Sequence, residues 1–367
     1  MASRLFLCAL LAAPAVALGA QTPNTAGPPP FTFIEVVPGI YAAIEPRQNA
    51  LSPFVHGNSM FVVNDSDVFA FDANHTPSAA RATIAQLRAI TTKPVRQLML
   101  SHFHGDHTMG VEAFVEAFPG IEVIATDSTR DDIIRTLVRA TNRTAERYAK
   151  TNAQYDSMAN AGVDLAGRPL TPERRQLWEA TRYAFRNYYS VEAPTMKIVA
   201  PTTTFDTKMK IWSGAREIDL LSFGRGDTRG DGIVWLPTER VVATGDVLVD
   251  PAPYSGANHP SDWLATLRAI RALDPLHIVP GHGDVQHDTK YLDLVIAVTD
   301  STIRAVRQAA ASNLTEEQTV KRVTMPQFRQ RFTHGEPLIE DRWNDFIEGL
   351  VRGAYGEAKH ATTRRVR

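Results

Sequence analysis

The segment SHFHGDH, at residues 101–107, restricts the structure of this chain more than any other stretch of its sequence. It follows the apolar run LML, and it supplies His102, His104, Asp106 and His107 within six positions. Borderline metals such as Zn²⁺ bind imidazole nitrogen and carboxylate oxygen, and several such donors must converge on one point. A turn after a strand can direct residues 102 and 104 one way and residues 106 and 107 another. The segment therefore predicts donors for two adjacent metal ions.

Around this motif, strand-like runs alternate with helical patterns, which is typical of an α/β fold. Apolar alternation marks residues 31–46, and the apolar residues of 77–91 recur with helical spacing. From these patterns we predict an α/β domain over residues 31–295, interrupted by a helical insertion at about 127–190. Residues 296–367 predict a helical C-terminal extension.

The N-terminal residues predict an export signal. Arg4 precedes a run of sixteen uncharged, mostly apolar or small residues at 5–20. The run ends in ALGA, whose small residues suit cleavage near Gly19 or Ala20. We therefore predict a signal peptide over residues 1–20, although a span of this length could also remain as an anchor.

Residues 21–30, QTPNTAGPPP, follow as a polar, proline-rich leader. The one cysteine of the chain, Cys8, lies in the predicted signal. The mature protein would therefore contain no disulfide, thiolate metal ligand or cysteine nucleophile. We expect an exported protein, periplasmic or secreted, that keeps no stable membrane anchor once the signal is cleaved.

Composition and charge favour a small-molecule partner. The chain is 44% hydrophobic and 22% charged, which is ordinary for a globular protein. Its 39 basic and 40 acidic residues give a net charge of -1, which leaves no electrostatic footprint for nucleic acid or an anionic membrane. We therefore expect a small-molecule substrate and no nucleic-acid partner, and we make no prediction of the oligomeric state.

Four motifs, in the same order along the chain, resemble those of the metallo-β-lactamase superfamily. HFHGDH matches its signature, Asp72 follows an early strand as the family's acidic residue does, ATGDVL contains Asp246, and IVPGHG contains His282. The resemblance covers roughly residues 34–295 outside the insertion. It implies a four-layer αβ/βα sandwich, to which the helical insertion and the helical C-terminal extension are added. It also implies that Asp246 bridges two metal ions and that His282 is a late histidine ligand.

One stretch departs from the family's pattern. Where the family has Gly-x-x-His-Thr-x-Gly-Asp, this chain has GRGDTRGD at residues 224–231, so Asp227 takes the position of a histidine. The resemblance then implies two ligand sets that share Asp246, namely His102, His104 and Asp227 for a first ion, and Asp106, His107 and His282 for a second. Because aspartate is shorter than histidine, the loop must bring its backbone closer or admit a water. Two other possibilities are a first site without metal and a purely structural Asp227.

The same stretch contains Arg-Gly-Asp twice, a tripeptide known as an adhesion signal. Recognition of that kind requires an exposed, flexible tip, whereas IDLLSF and GIVWLP flank this segment closely and predict a tight connection between strands. We therefore interpret the stretch as part of the metal site. Arg225 and Arg229 are interpreted either as surface charges or as cations that neutralise carboxylates or a substrate anion. Asp231 is interpreted either as a residue that orients a ligand or as a partner in a turn hydrogen bond.

The resemblance implies a metal-dependent hydrolase that directs a metal-activated water at a small acyl substrate, such as a lactone, β-lactam or thioester. Asp106 would bind metal and also act as the catalytic residue that orients the water or takes its proton. Two divalent ions are expected, with Zn²⁺ first and with Mn²⁺ or Fe²⁺ as alternatives at the site that contains Asp227. Tyr254 and His259, after Asp246, are candidates for substrate contact or else ordinary loop residues.

Three other functions remain open. A mononuclear iron oxidoreductase on the same fold would follow if only one site fills with a redox metal. A phosphodiesterase is compatible with the metal donors, although export and net charge disfavour nucleic-acid substrates. A non-catalytic metal-binding or sensor protein would bind at most one ion and turn over no substrate. The chain has no Gly-x-Ser-x-Gly elbow that would support a serine hydrolase.

Overall fold

The computed structural model describes residues 31–45, 56–164, 167–253 and 259–365. The predicted signal peptide and proline-rich leader lie outside these residues, and so does Tyr254. In the described chain two β-sheets contain all the named strands, and the helices lie around them.

The first sheet contains seven strands, which lie side by side in the order of the chain. They are β1 (Thr32–Val37), β2 (Ile40–Ile44), β3 (Ser59–Val63), β4 (Val68–Phe71), β5 (Val95–Met99), β6 (Glu122–Thr126) and β7 (Thr203–Phe205). Strands β1 to β4 pair antiparallel. From β4 to β7 the pairing is parallel, because helical segments connect those strands.

The second sheet contains five strands in the order β12-β11-β10-β9-β8. Their bounds are β8 (Lys208–Ser213), β9 (Arg216–Leu221), β10 (Ile233–Leu236), β11 (Val241–Val249) and β12 (His277–His282). Strands β8 to β11 pair antiparallel, whereas β11 and β12 are parallel neighbours.

Helices separate the strands and extend the fold at its C-terminus. Those before β7 are α1 (Pro77–Ile90), α2 (Gly105–Thr108), α3 (Val111–Ala117), α4 (Asp127–Asp132), α5 (Ala145–Ala161), α6 (Pro172–Ala184) and α7 (Ser190–Glu192), with π-helical segments at Ile133–Val138 and Phe185–Tyr189. Those after β11 are α8 (Pro260–Ala272), α9 (Lys290–Ala311), α10 (Glu316–Arg322), α11 (Pro326–Thr333) and α12 (Pro337–Arg365). Within the described ranges, none of these helices is both long and apolar enough to cross a membrane.

Three hydrophobic clusters hold the layers together. Between the sheets, apolar side chains of both sheets pack against one another, among them Phe69 and Leu220. On the outer face of the first sheet, α1 and α3 contribute Ile84 and Phe114. On the outer face of the second sheet, α8, α9 and α12 pack through residues such as Leu267. The order of helices, sheet, sheet and helices confirms the predicted αβ/βα sandwich.

The segment between β6 and β7 is helical, and it contacts the C-terminal helices. Its helix α6 is capped by Thr171, whose side chain accepts a hydrogen bond from a backbone N–H of the first turn. Leu177 of α6 packs with Leu338 and Ile339 at the start of α12. The Arg174 guanidinium of the same helix pairs with a carboxylate of α12, in the same region of the molecule.

Candidate metal centre

The predicted metal-binding residues come from four separate places in the fold. The SHFHGDH motif occupies the turn after β5 and the short helix α2. Asp246 lies within β11, and His282 ends β12. Asp227 lies in the connection between β9 and β10. A backbone hydrogen bond of 2.7 Å from the N–H of Gly232 to the oxygen of Ser101 joins this connection to the motif. The side chains from all four places converge in two groups of possible metal donors.

One set of donors consists of His102, His104, Asp227 and Asp246. The Nδ1 atom of His104 lies 3.1 Å from Oδ2 of Asp227. The Nε2 atom of His102 lies 3.7 Å from Oδ2 of Asp227 and 3.7 Å from Oδ2 of Asp246. The shorter aspartate therefore reaches the same point as the two histidines.

A second set consists of Asp106, His107, Asp246 and His282. The Nε2 atom of His107 lies 3.2 Å from Oδ1 of Asp246 and 3.5 Å from Oδ2 of Asp106. The Nε2 atom of His282 lies 3.0 Å from Oδ2 of Asp106 and 3.5 Å from Oδ1 of Asp246. Asp246 thus directs Oδ2 to the first set and Oδ1 to the second, which is the arrangement of a bridging carboxylate.

The residues present fit two divalent ions with nitrogen and oxygen ligands. In each set one donor atom per residue lies within 4.8 Å of all the others. Tetrahedral ligands about 2.1 Å from a zinc ion are about 3.4 Å apart, close to the spacings observed in both sets. Buried atoms of four of these residues form no hydrogen bond with any described residue, namely Nε2 of His102, Nε2 of His107, Oδ2 of Asp227 and Oδ1 of Asp246. Buried polar atoms are rarely left without a partner, so this donor set is suited to bind cations.

The electrostatics of the centre also favour cations. Burial lowers the pKa of His102 well below its usual value, and neighbouring His107 adds to this effect, so the imidazole is neutral as a metal ligand must be. Burial raises the pKa of Asp227, and the charge of Asp246 acts in the same direction. Burial would also raise the pKa of Asp246, but His107 and His282 outweigh it and lower that pKa. Divalent ions would offset this crowding of carboxylates.

Asp72 orients two of the histidines through hydrogen bonds on the Nδ1 side of their rings. Its Oδ2 accepts hydrogen bonds from Nδ1 of His107 at 2.8 Å and from Oγ of Ser101 at 2.8 Å, and its Oδ1 accepts from the Ser101 backbone at 2.7 Å. The Ser101 hydroxyl in turn lies 2.9 Å from Nδ1 of His102. With both Nδ1 atoms engaged, the Nε2 atoms of His102 and His107 face the donor sets.

Replacing Asp72 with asparagine is expected to lower metal affinity by about 10–100-fold, as the loss of such an outer partner typically does. The amide group has one acceptor oxygen in place of two, so it cannot receive all three hydrogen bonds. Competition with a chromogenic chelator measures the affinity, and Asp65→Asn, an exposed carboxylate before β4, is the control. Equal metal affinities of Asp72→Asn and the control would contradict this role for Asp72.

The loop at residues 224–231 is held by Asp231. Its Oδ2 accepts hydrogen bonds from the backbone N–H of Gly226 at 2.9 Å and of Thr228 at 3.0 Å. A β-carbon on Gly226 would lie 2.8 Å from the side chain of Val247, so only glycine allows this close approach to β11. These contacts fix the backbone on both sides of Asp227, whose carboxylate lies among the first set of donors.

The two arginines of this loop do not neutralise the carboxylates of the donor sets. The Arg229 guanidinium donates a 2.7 Å hydrogen bond to Oδ2 of Asp132. The Arg225 guanidinium donates to Nε2 of His259 at 2.7 Å. His259, a candidate for substrate contact, is therefore a partner of the loop and immediately precedes α8.

Other residues near the centre were assigned no function from the sequence. The ring of His75 lies 4.3 Å from the ring of Tyr189, and His75 also contributes to the electrostatics of Asp106. His75 follows no metal-binding motif in the sequence, and Tyr189 lies in the helical insertion, which contains none. Only the packing of that insertion against the centre reveals their position, so no signal in the sequence could have identified them.

A two-sheet sandwich that joins two donor sets through a shared aspartate defines a metallo-β-lactamase type of metal-binding protein. The family model described as the metallo-beta-lactamase superfamily matches residues 52–143. The chain thus resembles this superfamily over the matched residues, and its two-sheet fold is that of the similar solved structures.

Two alkylsulfatases are similar to this chain. The linear primary-alkylsulfatase of Pseudomonas sp. (strain ATCC 19151) is 22% identical over 310 residues, which cover 79% of this chain and 51% of that protein. The structure of the inverting sec-alkylsulfatase Pisa1 from Pseudomonas sp. has a TM-score of 0.59 and 16% identity, and covers 89% of this chain and 50% of Pisa1. This chain thus spans about half the length of both. The DIM-1 metallo-beta-lactamase structure has a TM-score of 0.47 and 14% identity to this chain. The match covers 74% of this chain and 98% of the DIM-1 chain.

Proposed function

We propose that this protein is a metal-dependent hydrolase of small molecules. The observation that carries the proposal is the Asp246 carboxylate, which directs one oxygen to each of two adjacent donor sets. Two divalent ions held there, Zn²⁺ being the first candidate, would supply an activated water and polarise the bond under attack. The remaining chemistry depends on the side chains of the chain itself.

Asp106 is proposed as the residue that orients the attacking water and takes its proton. Its side chain is 23% exposed, whereas those of Asp227 and Asp246 are 2% and 7% exposed, so solvent reaches this carboxylate most readily. Burial would raise its pKa, but His107 and His282 outweigh burial and lower that pKa well below the usual value. As a carboxylate, Asp106 can accept a hydrogen bond from water.

For the substrate we propose a small acyl compound, namely a lactone, β-lactam or thioester. A sulfate ester is a second candidate, because the curated relative that aligns over 310 residues is a linear primary-alkylsulfatase. Both classes require a water directed at an electrophilic centre beside the metal ions. The sequence of residues 1–20 supports the further proposal that the protein is exported, to the periplasm or beyond, where it would meet such compounds.

A substrate panel separates these possibilities. The protein reconstituted with zinc, manganese or iron is assayed with a β-lactam, a homoserine lactone, a glutathione thioester, an octyl sulfate and a phosphodiester. Turnover of one class identifies it, and its absence across the panel would contradict the hydrolase proposal. Recovery of a single iron ion with redox activity would favour an oxidoreductase in its place.

Asp227→Ala is expected to lose about one metal equivalent per chain, because only the first donor set contains Asp227. Asp227→His is expected to retain both ions, since an imidazole can bind at the same position. Elemental analysis after dialysis measures both, with Asp206→Ala, an exposed residue between β7 and β8, as the control. If Asp227→Ala binds as much metal as the control, Asp227 is not a ligand.

A further inference from the structure

A cavity of about 300 Å³ lies between the helical insertion and the SHFHGDH motif, and we call it the insertion cavity. Its apolar wall contains Leu137, Tyr148, Tyr155, Phe185 and Tyr189. The aromatic rings are packed edge to face or tilted, with Tyr155 and Phe185 5.2 Å apart and Tyr148 and Tyr189 5.5 Å apart. A cavity of this size, with an aromatic wall beside polar groups, is large enough for a small molecule.

Two arginines in the wall have no acidic partner. Arg147 is exposed, and its guanidinium forms no hydrogen bond or ion pair within the described ranges; that of the half-buried Arg143 donates to the backbone oxygen of Leu137. No described residue that lines the cavity is an aspartate or glutamate. The residues outside the described ranges contain no aspartate or glutamate either, so they can supply no side-chain carboxylate.

Other arginines of the insertion behave differently. Arg168, Arg174, Arg182 and Arg186 each pair with at least one carboxylate, the partners being Asp164, Asp345, Asp341, Asp156 and Glu179. Arg130 and Arg175 donate to backbone oxygens, so the two arginines at the cavity are set apart by lining it together rather than by the lack of a carboxylate alone. A guanidinium in such a position is suited to bind a carboxylate, sulfate or phosphate through several hydrogen bonds.

The phenol of Tyr189 does not provide the missing negative charge. Burial raises the pKa of this phenol, and its hydrogen bond with Tyr148 adds to the effect, so the phenol is neutral at physiological pH. The cavity also adjoins the SHFHGDH motif. Met109 lines it, and the Met109 side chain lies against Gly105 of the SHFHGDH motif.

We propose that the insertion cavity binds a small anion with an apolar body, the aliphatic or aromatic part packing against the tyrosines and the acidic group meeting Arg143 and Arg147. The shared chemistry is one acidic head group on an apolar chain, whether carboxylate or sulfate. This site is distinct from the two donor sets, and binding to it does not require the hydrolase activity proposed above.

Calorimetric titration of the full-length, metal-loaded protein with octanoate tests the site. We expect Arg147→Gln and Arg143→Gln each to raise the dissociation constant by about tenfold or more, the loss typical of one charged hydrogen bond. Lys150→Gln is the matched control, since it removes one positive charge from the exposed side of α5. Its octanoate affinity should stay within about twofold of the unmodified protein.

Comparison of ligands separates the two parts of the proposal. Octanol should bind more weakly than octanoate because it lacks the charge, and acetate more weakly because it lacks the apolar chain. Octyl sulfate, titrated in parallel, shows which head group the arginines prefer. No binding of octanoate, equal affinities of Arg147→Gln and Lys150→Gln, or equal affinities for acetate and octanoate would each overturn the proposal. Thermal unfolding of every variant confirms that the fold is intact, and Arg143→Lys, which keeps the charge, should restore part of the affinity.

Discussion

Asp246→Ala should remove both metal ions from the protein at once and abolish turnover. Its two carboxylate oxygens face different donor sets, Oδ2 lying 3.7 Å from Nε2 of His102 and Oδ1 lying 3.2 Å from Nε2 of His107. We expect close to zero metal equivalents per chain after dialysis, against two in the unmodified protein. The loss of kcat/KM should exceed the roughly 10–100-fold that loss of an outer partner costs.

Controls for this experiment distinguish a shared ligand from a misfolded centre. His282→Ala should lose about one equivalent, because His282 belongs only to the second set. Asp246→Asn keeps the shape of the side chain, so comparison of the unfolding temperatures of the two Asp246 variants in chelator reports on the fold alone. Retention of one full metal equivalent by Asp246→Ala would show that the two sets do not depend on a common carboxylate.

Gly281→Ala should disturb the same donor sets by displacing the backbone that holds Asp246. A β-carbon at this position would lie 2.1 Å from Oδ1 of Asp246 and 2.6 Å from the carbonyl carbon of Gly245. Because one of these atoms belongs to the backbone, β11 and β12 must move apart to admit it. We expect a loss of about 1–3 kcal/mol in the free energy of unfolding of the metal-free protein. We also expect weaker binding of both metal ions.

Urea unfolding in the presence of chelator measures this loss, and elemental analysis measures the metal. Gly356→Ala is the matched control, since nothing lies within 4 Å of a β-carbon there and the residue is inside α12. Alanine should stabilise that helix by up to about 1 kcal/mol. A Gly281→Ala protein that unfolds like the unmodified one and binds two ions would refute the steric explanation.

The donor sets were largely predictable because the first of their motifs is local. Four potential ligands fall within one turn after a strand, and the alternation of side chains in that turn already divides them into two pairs. Asp246 and His282 are distant in sequence, and they were found because their motifs resemble those of a known family. The sandwich could be predicted for the same reason.

The roles of the residues around the donor sets could not be predicted. They depend on contacts between segments that are distant in sequence, and no local pattern describes such contacts. Asp231 supports the loop of Asp227 only because that loop folds back on itself, and Arg229 contacts Asp132 at the end of α4, in the insertion. The role of His259 as a partner of Arg225 follows likewise from the packing of α8 beside the loop. The sequence left two interpretations open for each of these residues. Tertiary structure supplies a partner for each, and contact of His259 with a substrate stays a prediction.

The contact between α6 and α12 joins the two parts of the chain that the family resemblance does not cover. Leu177, Leu338 and Ile339 form its apolar part, and the ion pair of Arg174 with Asp341 lies beside them. Neither segment is therefore an independent appendage, since each covers apolar surface of the other. Shortening α12 at its start would expose Leu177 to solvent, so the stability of the insertion is expected to depend on the C-terminal extension.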